Sequence, residues 1–159
     1  MAGVQRLNHA VLYVSDAQLS AQFYVRNLGF SVAHEMGERA VFLRADQSPN
    51  DHDLGLFSVG SGQAQRGVGL YHLAWQVDTI DELVERRNLL FAAGALVGES
   101  DHGVSKSLYA RDPDGIEFEV IWAAPKSEWA NVEVGVFPLD LDGEVSRWAA
   151  TPTIKEINL

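Results

Sequence analysis

The chain reads Leu7-Asn8-His9-Ala10-Val11-Leu12-Tyr13-Val14 near its beginning, and a related stretch, Leu70-Tyr71-His72-Leu73-Ala74-Trp75-Gln76-Val77, follows at an offset of 63 residues. Both stretches are rich in strand-forming residues, and each has a histidine in its third position. A helical pattern that ends at a glycine follows each one, at Gly29 and at Gly94. This internal repeat predicts two related modules that can build one site from both histidines.

The composition of the chain excludes several classes of function. A chain of 159 residues with 47% hydrophobic residues is long enough for one ordinary domain with a core. The formal charge of −10 disfavours nucleic acid and anionic membranes as partners. Cysteine is absent, which excludes disulfides, thiolate nucleophiles and cysteine-ligated metal centres. No apolar stretch approaches the roughly 20 residues that span a bilayer, and no signal pattern opens the chain, so we expect a cytoplasmic protein.

Each repeat predicts the order β-α-β-β-β. The pattern favours helices over residues 17–28 and from residue 80 to Gly94, the second opened by a capping box at Thr79-Ile80-Asp81-Glu82. Strands are predicted at residues 7–14, 30–34, 40–44, 54–59, 70–77, 95–97, 106–111 and 116–122. We therefore expect an α+β fold in which two tandem βαβββ modules form one open, curved, mixed β-barrel around a metal site, with the helices outside.

The expected boundaries follow the repeat. Residues 1–122 form the predicted domain, with modules at about 5–60 and 68–122 and a glycine-rich linker at 60–69. Residues 123–159 belong to neither copy and contain Trp129, Phe137 and Trp148. We interpret them as an arm that packs on the domain or on a partner subunit. A partly ordered tail is the alternative, because chain ends tend to fray.

Matching positions of the two copies give a candidate metal site. His9 matches His72, whereas Glu119 at the same offset matches Leu56, so only the second module offers a carboxylate on its last strand. Two histidines and one carboxylate are the set that binds non-haem iron(II) with coordination positions left open. The same ligands suit manganese, zinc or nickel. The alternative is that Glu117 and Glu119, which share one strand face, simply point to water.

The paired L-x-H strands, the helix-glycine units and the Asp112-Pro113-Asp114-Gly115 turn before Glu119 resemble the vicinal oxygen chelate superfamily over about residues 5–122. That superfamily contains glyoxalases, fosfomycin-resistance enzymes, extradiol ring-cleavage dioxygenases and bleomycin-binding proteins. The resemblance implies the fold, with His9, His72 and Glu119 as ligands of a divalent metal, most simply Fe(II). It also implies a homodimer.

Three details resemble the single-domain extradiol (catechol 2,3-) dioxygenases. His52 precedes a hydrophobic strand, where these enzymes keep their acid/base histidine, and Tyr109 precedes Glu119 by ten residues, where a tyrosine bonds near the substrate. The run from His102 to Tyr109 is similar to the segment that leads into their site, and His102 is a candidate pocket residue. We assign His34 no role. The resemblance thus implies a dioxygenase with an aromatic diol and O2 as substrates. One departure is that many such enzymes carry two double modules.

Other members of the superfamily remain alternatives. Glyoxalases use a first-module carboxylate as a fourth ligand and base, but Leu56 holds that matching place here and Asp53 is predicted on the other strand face. A fosfomycin-type transferase uses the same three ligands, although the sequence lacks a clear basic cluster for a phosphonate. A drug-sequestering protein of the bleomycin-resistance kind needs no metal triad, so stoichiometric metal would discriminate against it.

Overall fold

The fold comes from a computed structural model, which describes residues 4, 6–61 and 70–154. The chain forms two compact units. Unit 1 takes residues 1–66 together with the turn Asp112–Gly115, and unit 2 takes residues 67–111 and 116–159. Each unit is built around its own four-stranded sheet.

Unit 1 contains the elements β1 (Ala10–Val14), α1 (Ala17–Leu28), β2 (Ser31–Glu35), β3 (Ala40–Arg44) and β4 (Leu54–Ser58). Its strands form a mixed sheet with the order β1-β4-β3-β2. Strands β1 and β4 are parallel, and the other neighbours are antiparallel. Asp16 caps α1 by accepting hydrogen bonds from the backbone N–H groups of Gln18 and Leu19, and Gly29 ends the helix in the left-handed conformation (φ 79°).

Unit 2 repeats this order with the elements β5 (Leu73–Val77), α2 (Ile80–Ala92), β6 (Leu96–Asp101), β7 (Ser105–Arg111) and β8 (Glu117–Ala123). Its sheet has the equivalent strand order β5-β8-β7-β6, with β5 and β8 parallel. The capping box forms as predicted, because the Thr79 hydroxyl accepts from the Glu82 N–H while the Glu82 carboxylate accepts from the Thr79 N–H.

Residues 124–154 follow β8 within unit 2 and pack on the rest of that unit; we call this segment the arm. It contains a 3-10 helix (Lys126–Asn131) and the helix α3 (Leu141–Trp148). Helix α3 lies against α2, and the Trp148 ring lies 6.3 Å from the buried Trp122 ring. The backbone N–H groups of Thr153 and Ile154 donate to the Asp78 carboxylate. The last described residues are therefore attached beside the start of α2.

Each sheet has a buried face under its helix. In unit 1 the completely buried Leu56 lies under α1, and in unit 2 Phe118, Val120 and Trp122 alternate along β8 under α2. Burying each such side chain contributes about 1.5–3 kcal/mol. In unit 2 the opposite face carries the polar side chains of Glu119 and Tyr109, and this division positions the candidate site.

The predicted α+β class and the two βαβββ modules are confirmed. Helix α1 has the predicted bounds, and the strand ends shift by a few residues. Strand β6 is the largest difference, since pairing with β7 extends it through Gly98, Glu99 and Ser100, which are poor strand formers in isolation. Most of the predicted linker lies outside the described residues. Among the described residues, no helix has the length and apolarity that crossing a bilayer requires.

Candidate active site

The candidate site in unit 2 is a row of side chains across one face of its sheet. Ala74 on β5 pairs with Glu119 on β8, Glu119 pairs with Tyr109 on β7, and Tyr109 pairs with Gly98 on β6. His72 lies two residues before Ala74 and so belongs to the same face. A carboxylate, a phenol and an imidazole are thereby collected on the sheet face that α2 does not cover.

His72 and Glu119 form the closest polar pair of this row. The Nε2 atom of His72 lies 3.1 Å from the Oε2 atom of Glu119, and the two side chains are only 24% and 11% exposed. Two ligand atoms that each lie about 2.1 Å from one metal ion at a right angle are about 3 Å apart. The pair therefore fits two adjacent positions of a divalent metal ion, and an imidazole with a carboxylate is a suitable donor set.

Tyr109 is held by His102. The Tyr109 Oη atom lies 2.8 Å from His102 Nε2, and the other ring nitrogen, Nδ1, lies 2.8 Å from the backbone oxygen of Gly135. Burial raises the pKa of Tyr109, and the negative charge of Glu119 raises it further. The phenol therefore stays protonated around neutral pH, with its oxygen beside the candidate metal ligand.

Unit 1 has the equivalent row with different side chains. Val11 on β1 pairs with Gly55 on β4, Gly55 pairs with Phe42 on β3, and Phe42 pairs with His34 on β2. A Cβ atom added at Gly55 would lie 3.4 Å from Val11 Cγ2 and 3.6 Å from the Phe42 ring, which places all three on one face.

The predicted match of Glu119 with Leu56 is therefore wrong by one residue. Register pairs Leu12 with Leu56 on the buried face of the sheet, whereas Gly55 occupies the place that Glu119 holds in unit 2. The prediction that the first module has no carboxylate at this position is still correct, because the position is occupied by Gly55. Asp53 is occupied elsewhere, since its carboxylate accepts from Ser48, Asn50 and the Ala45 N–H.

His9 belongs to an ordered network of amides. Asn50 Oδ1 accepts from Arg6 and from the Asn8 amide nitrogen, which leaves Asn8 Oδ1 to accept a hydrogen bond at 2.9 Å from His9 Nδ1. In the neutral ring the Nδ1 atom therefore carries the hydrogen, and Nε2 has a free lone pair. The amides thus settle the tautomer of His9 and fix the orientation of its ring.

His52 lies beside His9, with 4.7 Å between the ring centroids. Its Nδ1 donates to Asp51 Oδ2 at 2.9 Å, and this hydrogen bond lowers the pKa of the exposed Asp51 carboxyl. Nε2 is again left with a lone pair, so His52 can accept a proton there. The Phe42 ring, at 5.0 Å, and the His34 ring, at 6.0 Å, complete this cluster of unit 1.

The structure brings the predicted residues together in two groups: His72, Glu119 and Tyr109 in unit 2, and His9 and His52 in unit 1. Within the described part of each unit, no three His, Asp or Glu side chains are arranged to hold a metal ion. The assignment of His9 as the third ligand stays a prediction.

His34 has no predicted role, and His102 has only the general one of a pocket residue. The signal that could have placed His34 is strand pairing, because it pairs with Phe42. For His102 the signal is its position after the last residue of β6, across the turn from β7 and Tyr109.

The Glyoxalase/Bleomycin resistance protein/Dioxygenase superfamily model matches residues 6–120. The chain belongs to this superfamily. The match covers both sheets almost completely and ends before the arm. The resemblance read from the repeat is confirmed at this level.

Two curated relatives are dioxygenases by name. The chain is 30% identical to the Catechol-2,3-dioxygenase of Bacillus subtilis over 131 residues, which cover 77% of this chain and 43% of the relative. It is 34% identical to Biphenyl-2,3-diol 1,2-dioxygenase 3 of Rhodococcus globerulus over 120 residues, which cover 72% and 62%. The aligned part thus spans about half the length of these relatives.

The same fold occurs in proteins named for other chemistry. A genomically encoded fosfomycin resistance protein from Listeria monocytogenes superposes with a TM-score of 0.60 at 19% identity, over 77% of this chain and 96% of that one. At this identity the likeness concerns the fold alone, so the reaction has to be argued from the side chains.

Proposed function

We propose that this protein is a metal-dependent extradiol dioxygenase that cleaves the ring of a catechol-type aromatic diol with O2. The observation that carries the proposal is the His72–Glu119 pair with the Tyr109 hydroxyl next to it. The two relatives whose names describe dioxygenases support the substrate class. Their sequence identity to this chain, 30% and 34%, is higher than the 19% of the fosfomycin resistance protein.

We propose that His9, His72 and Glu119 together hold the metal, and that it is Fe(II), with Mn, Zn or Ni as alternatives for the same ligands. When bound, the metal supplies a Lewis acid that lowers the pKa of the diol hydroxyls and a place where the diol and O2 meet. The prepared Nε2 lone pair of His9 and its equivalence to His72 in the repeat support its inclusion.

We assign proton transfer to His52 and positioning of the substrate to Tyr109. His52 Nε2 accepts a proton from a diol hydroxyl and later returns it, while Asp51 holds the opposite side of the ring and stabilises the protonated form. Tyr109 orients the diol oxygen that lies near Glu119. Both rings are only partly buried, which leaves them open to a small substrate.

A glyoxalase-type isomerase is disfavoured because Gly55 can neither bind a metal nor transfer a proton. The cations that a phosphonate would require are engaged around the unit 2 sheet. Lys106 is paired with Asp101 and Glu144, and Arg111 lies 3.7 Å from Glu117. In a drug-sequestering protein the Glu119 side chain, which is only 11% exposed, would lie beside His72 without a function.

The test is oxygen uptake on a panel of monocyclic and bicyclic catechols. The protein is purified without oxygen, loaded separately with Fe(II), Mn(II), Zn(II) or Ni(II), and followed for coloured ring-opened products. We expect one O2 consumed for each diol cleaved with iron or manganese, and a fall of about 100-fold or more in His52→Gln. No uptake across the panel with stoichiometric metal bound would overturn the dioxygenase proposal, and no metal binding would overturn the ligand set.

The homodimer expected from the sequence is part of the proposal. Light scattering during size-exclusion chromatography gives the mass directly, and a value near one chain mass of 17.5 kDa would contradict it.

A further inference from the structure

The arm is attached to unit 2 on both sides of His102. Asp101 and Phe137 exchange two backbone hydrogen bonds of 2.9 Å, which adds Phe137 to the edge of β6. The buried Lys106 ammonium binds Asp101 Oδ1 at 2.6 Å and Glu144 Oε1 of α3 at 3.3 Å. His102 therefore lies between two points where the arm is fixed.

Gly103 allows the close approach of the arm to the β6–β7 turn, and Gly135 leaves room for Phe137 within the arm. Gly103 has a positive φ of 79°, and a Cβ atom there would overlap the backbone oxygen of Glu133. A Cβ atom at Gly135 would lie 2.6 Å from the Phe137 ring. Backbone of the arm thus lies directly against the β6–β7 turn, and this contact brings the Gly135 oxygen to His102.

The bonds of His102 determine its tautomer. A backbone oxygen can only accept, so the 2.8 Å contact with Gly135 requires that Nδ1 carries a hydrogen. In the neutral ring Nε2 then has a free lone pair, and the 2.8 Å contact with Tyr109 is a hydrogen bond donated by the phenol. The single hydroxyl hydrogen of Tyr109 consequently points to His102.

We propose that the arm is a positioning element of the candidate site, in which the Gly135 carbonyl fixes the Nδ1–H tautomer of His102 so that Nε2 holds the hydroxyl hydrogen of Tyr109. The effect is to turn the lone pairs of the Tyr109 oxygen toward the sheet face that carries Glu119. Tyr109 then accepts a hydrogen bond from a substrate hydroxyl and does not donate one. This consequence for catalysis rests on the proposed function, whereas the tautomer does not.

The competing acceptor explains why the tautomer matters. Glu119 pairs with Tyr109 across β7 and β8 and is within hydrogen-bond reach of its hydroxyl, so the carboxylate is an alternative acceptor for the hydroxyl hydrogen. If His102 carried its hydrogen on Nε2, it would donate to the Tyr109 oxygen and release the phenol hydrogen toward that carboxylate. The arm, which lies outside the part of the chain that matches the superfamily, selects between these two arrangements.

The direct test is the tautomer of His102 in the full-length, metal-free protein. Histidine labelled with nitrogen-15 gives separate signals for protonated and unprotonated ring nitrogens, and His102→Asn identifies the His102 signals by their loss. We expect wild type to show a protonated Nδ1 and an unprotonated Nε2 at neutral pH. A protonated Nε2 in the neutral ring of the wild type would overturn the proposal without any further variant.

The role of the arm is tested with Gly135→Ala, which pushes the segment against the Phe137 ring, and with Val134→Ala as the matched control, because Val134 is 71% exposed. We expect Gly135→Ala to give a mixture of both tautomers and Val134→Ala to match the wild type. An unchanged tautomer in a folded Gly135→Ala variant would show that the arm does not set it. If that variant does not fold, Glu144→Gln, which loosens α3 from Lys106, takes its place with the same readout.

Two substitutions of His102 separate positioning from proton transfer by the ring. His102→Gln can still accept from Tyr109 but loses the donor to Gly135, and His102→Asn keeps a donor near Gly135 but does not reach Tyr109. We expect kcat for the best catechol to fall about tenfold in His102→Asn and no more than about threefold in His102→Gln, with KM nearly unchanged. Equal large losses would contradict the positioning role. A fixed tautomer in a protein that cleaves no catechol would refute only the proposed function.

Discussion

The two units have the same backbone row and different chemistry on it. In each sheet one residue from each of the four strands lies in register on the face away from the helix. The row is Val11, Gly55, Phe42 and His34 in unit 1, and Ala74, Glu119, Tyr109 and Gly98 in unit 2. Gly55 of unit 1 is equivalent to Glu119 of unit 2, and Phe42 is equivalent to Tyr109. The carboxylate and the phenol of the row therefore belong to unit 2 only.

The two units have the same fold but carry different functional groups. Unit 2 carries a carboxylate and a hydroxyl on its open sheet face, while unit 1 carries two imidazoles whose Nδ1 atoms are hydrogen-bonded to side-chain oxygens. The residues that precede the first-strand histidines differ as well. Asn8 binds the ring of His9, whereas the equivalent Tyr71 ring packs at 4.7 Å from the His72 ring. The buried Nδ1 of His72 has no hydrogen-bond partner among the described residues.

Removing the carboxylate of unit 2 should have the largest effect. We expect Glu119→Gln to weaken binding of Fe(II) or Mn(II) by about 100-fold or more, because an amide replaces an anionic ligand at almost constant shape. Calorimetric titration without oxygen measures the affinity. Glu117→Gln is the matched control, since Glu117 lies on the same face two residues away. Equal affinities of wild type and Glu119→Gln would remove Glu119 from the ligand set.

Adding a carboxylate to unit 1 should be the next largest change. In Gly55→Glu a fourth ligand competes with the diol for the metal, and we expect catechol cleavage to fall more than tenfold while the metal is retained. Gly55→Ala is the control, because its Cβ atom meets its neighbours at ordinary contact distances. Full dioxygenase activity in a folded Gly55→Glu variant would show that Gly55 does not face the metal.

The amide that binds His9 should matter less than a ligand. We expect Asn8→Leu to reduce the metal affinity by up to about tenfold, because the Nδ1 hydrogen loses its acceptor and the ring its fixed orientation. Asn8→Asp keeps the acceptor oxygen and should recover most of the affinity in the same titration. Equal metal affinities of Asn8→Leu and Asn8→Asp would show that the hydrogen bond from His9 to residue 8 does not contribute to metal binding.

A structural difference between the two helices gives the smallest effect. Tyr24 on α1 donates a buried hydrogen bond to Asp112 at 3.2 Å, whereas the equivalent Arg87 on α2 forms a half-exposed ion pair with Glu99. We expect Tyr24→Phe to cost about 1–2 kcal/mol of unfolding free energy and Arg87→Gln no more than about 1 kcal/mol. Urea denaturation followed by circular dichroism measures both.

The Tyr24 bond also predicts a pH dependence. Burial and the negative charge of Asp112 raise the pKa of Tyr24 above its ordinary value of 10.0. A raised pKa means that the folded state holds the proton more tightly, so this stabilisation is complete below about pH 10 and is lost as the pH rises above that value. In Tyr24→Phe this part of the alkaline loss should disappear. An identical alkaline decline in both proteins would contradict the assignment.

Local signals predicted most of the fold. The repeat at His9 and His72, the capping box at Thr79 and the glycine after each helix specified two βαβββ modules, because each signal acts over a few residues. Register is a longer-range property. The offset between the modules is 63 residues at the first strand but 64 at the last, so counting alone put Leu56 in the place of Gly55.

The sequence by itself determined the repeated modules, the side chains proposed as metal ligands and the lack of a carboxylate on the last strand of the first module, since these depend on which residues are present and on local periodicity. Only the tertiary structure decided which side chains share a row, that Asn8 and Gly135 settle the tautomers of His9 and His102, and that Asp112 binds Tyr24. Hydrogen bonds between residues 33 or 88 positions apart form only once the strands and the arm have packed. Residue spacing along the chain carries no record of them.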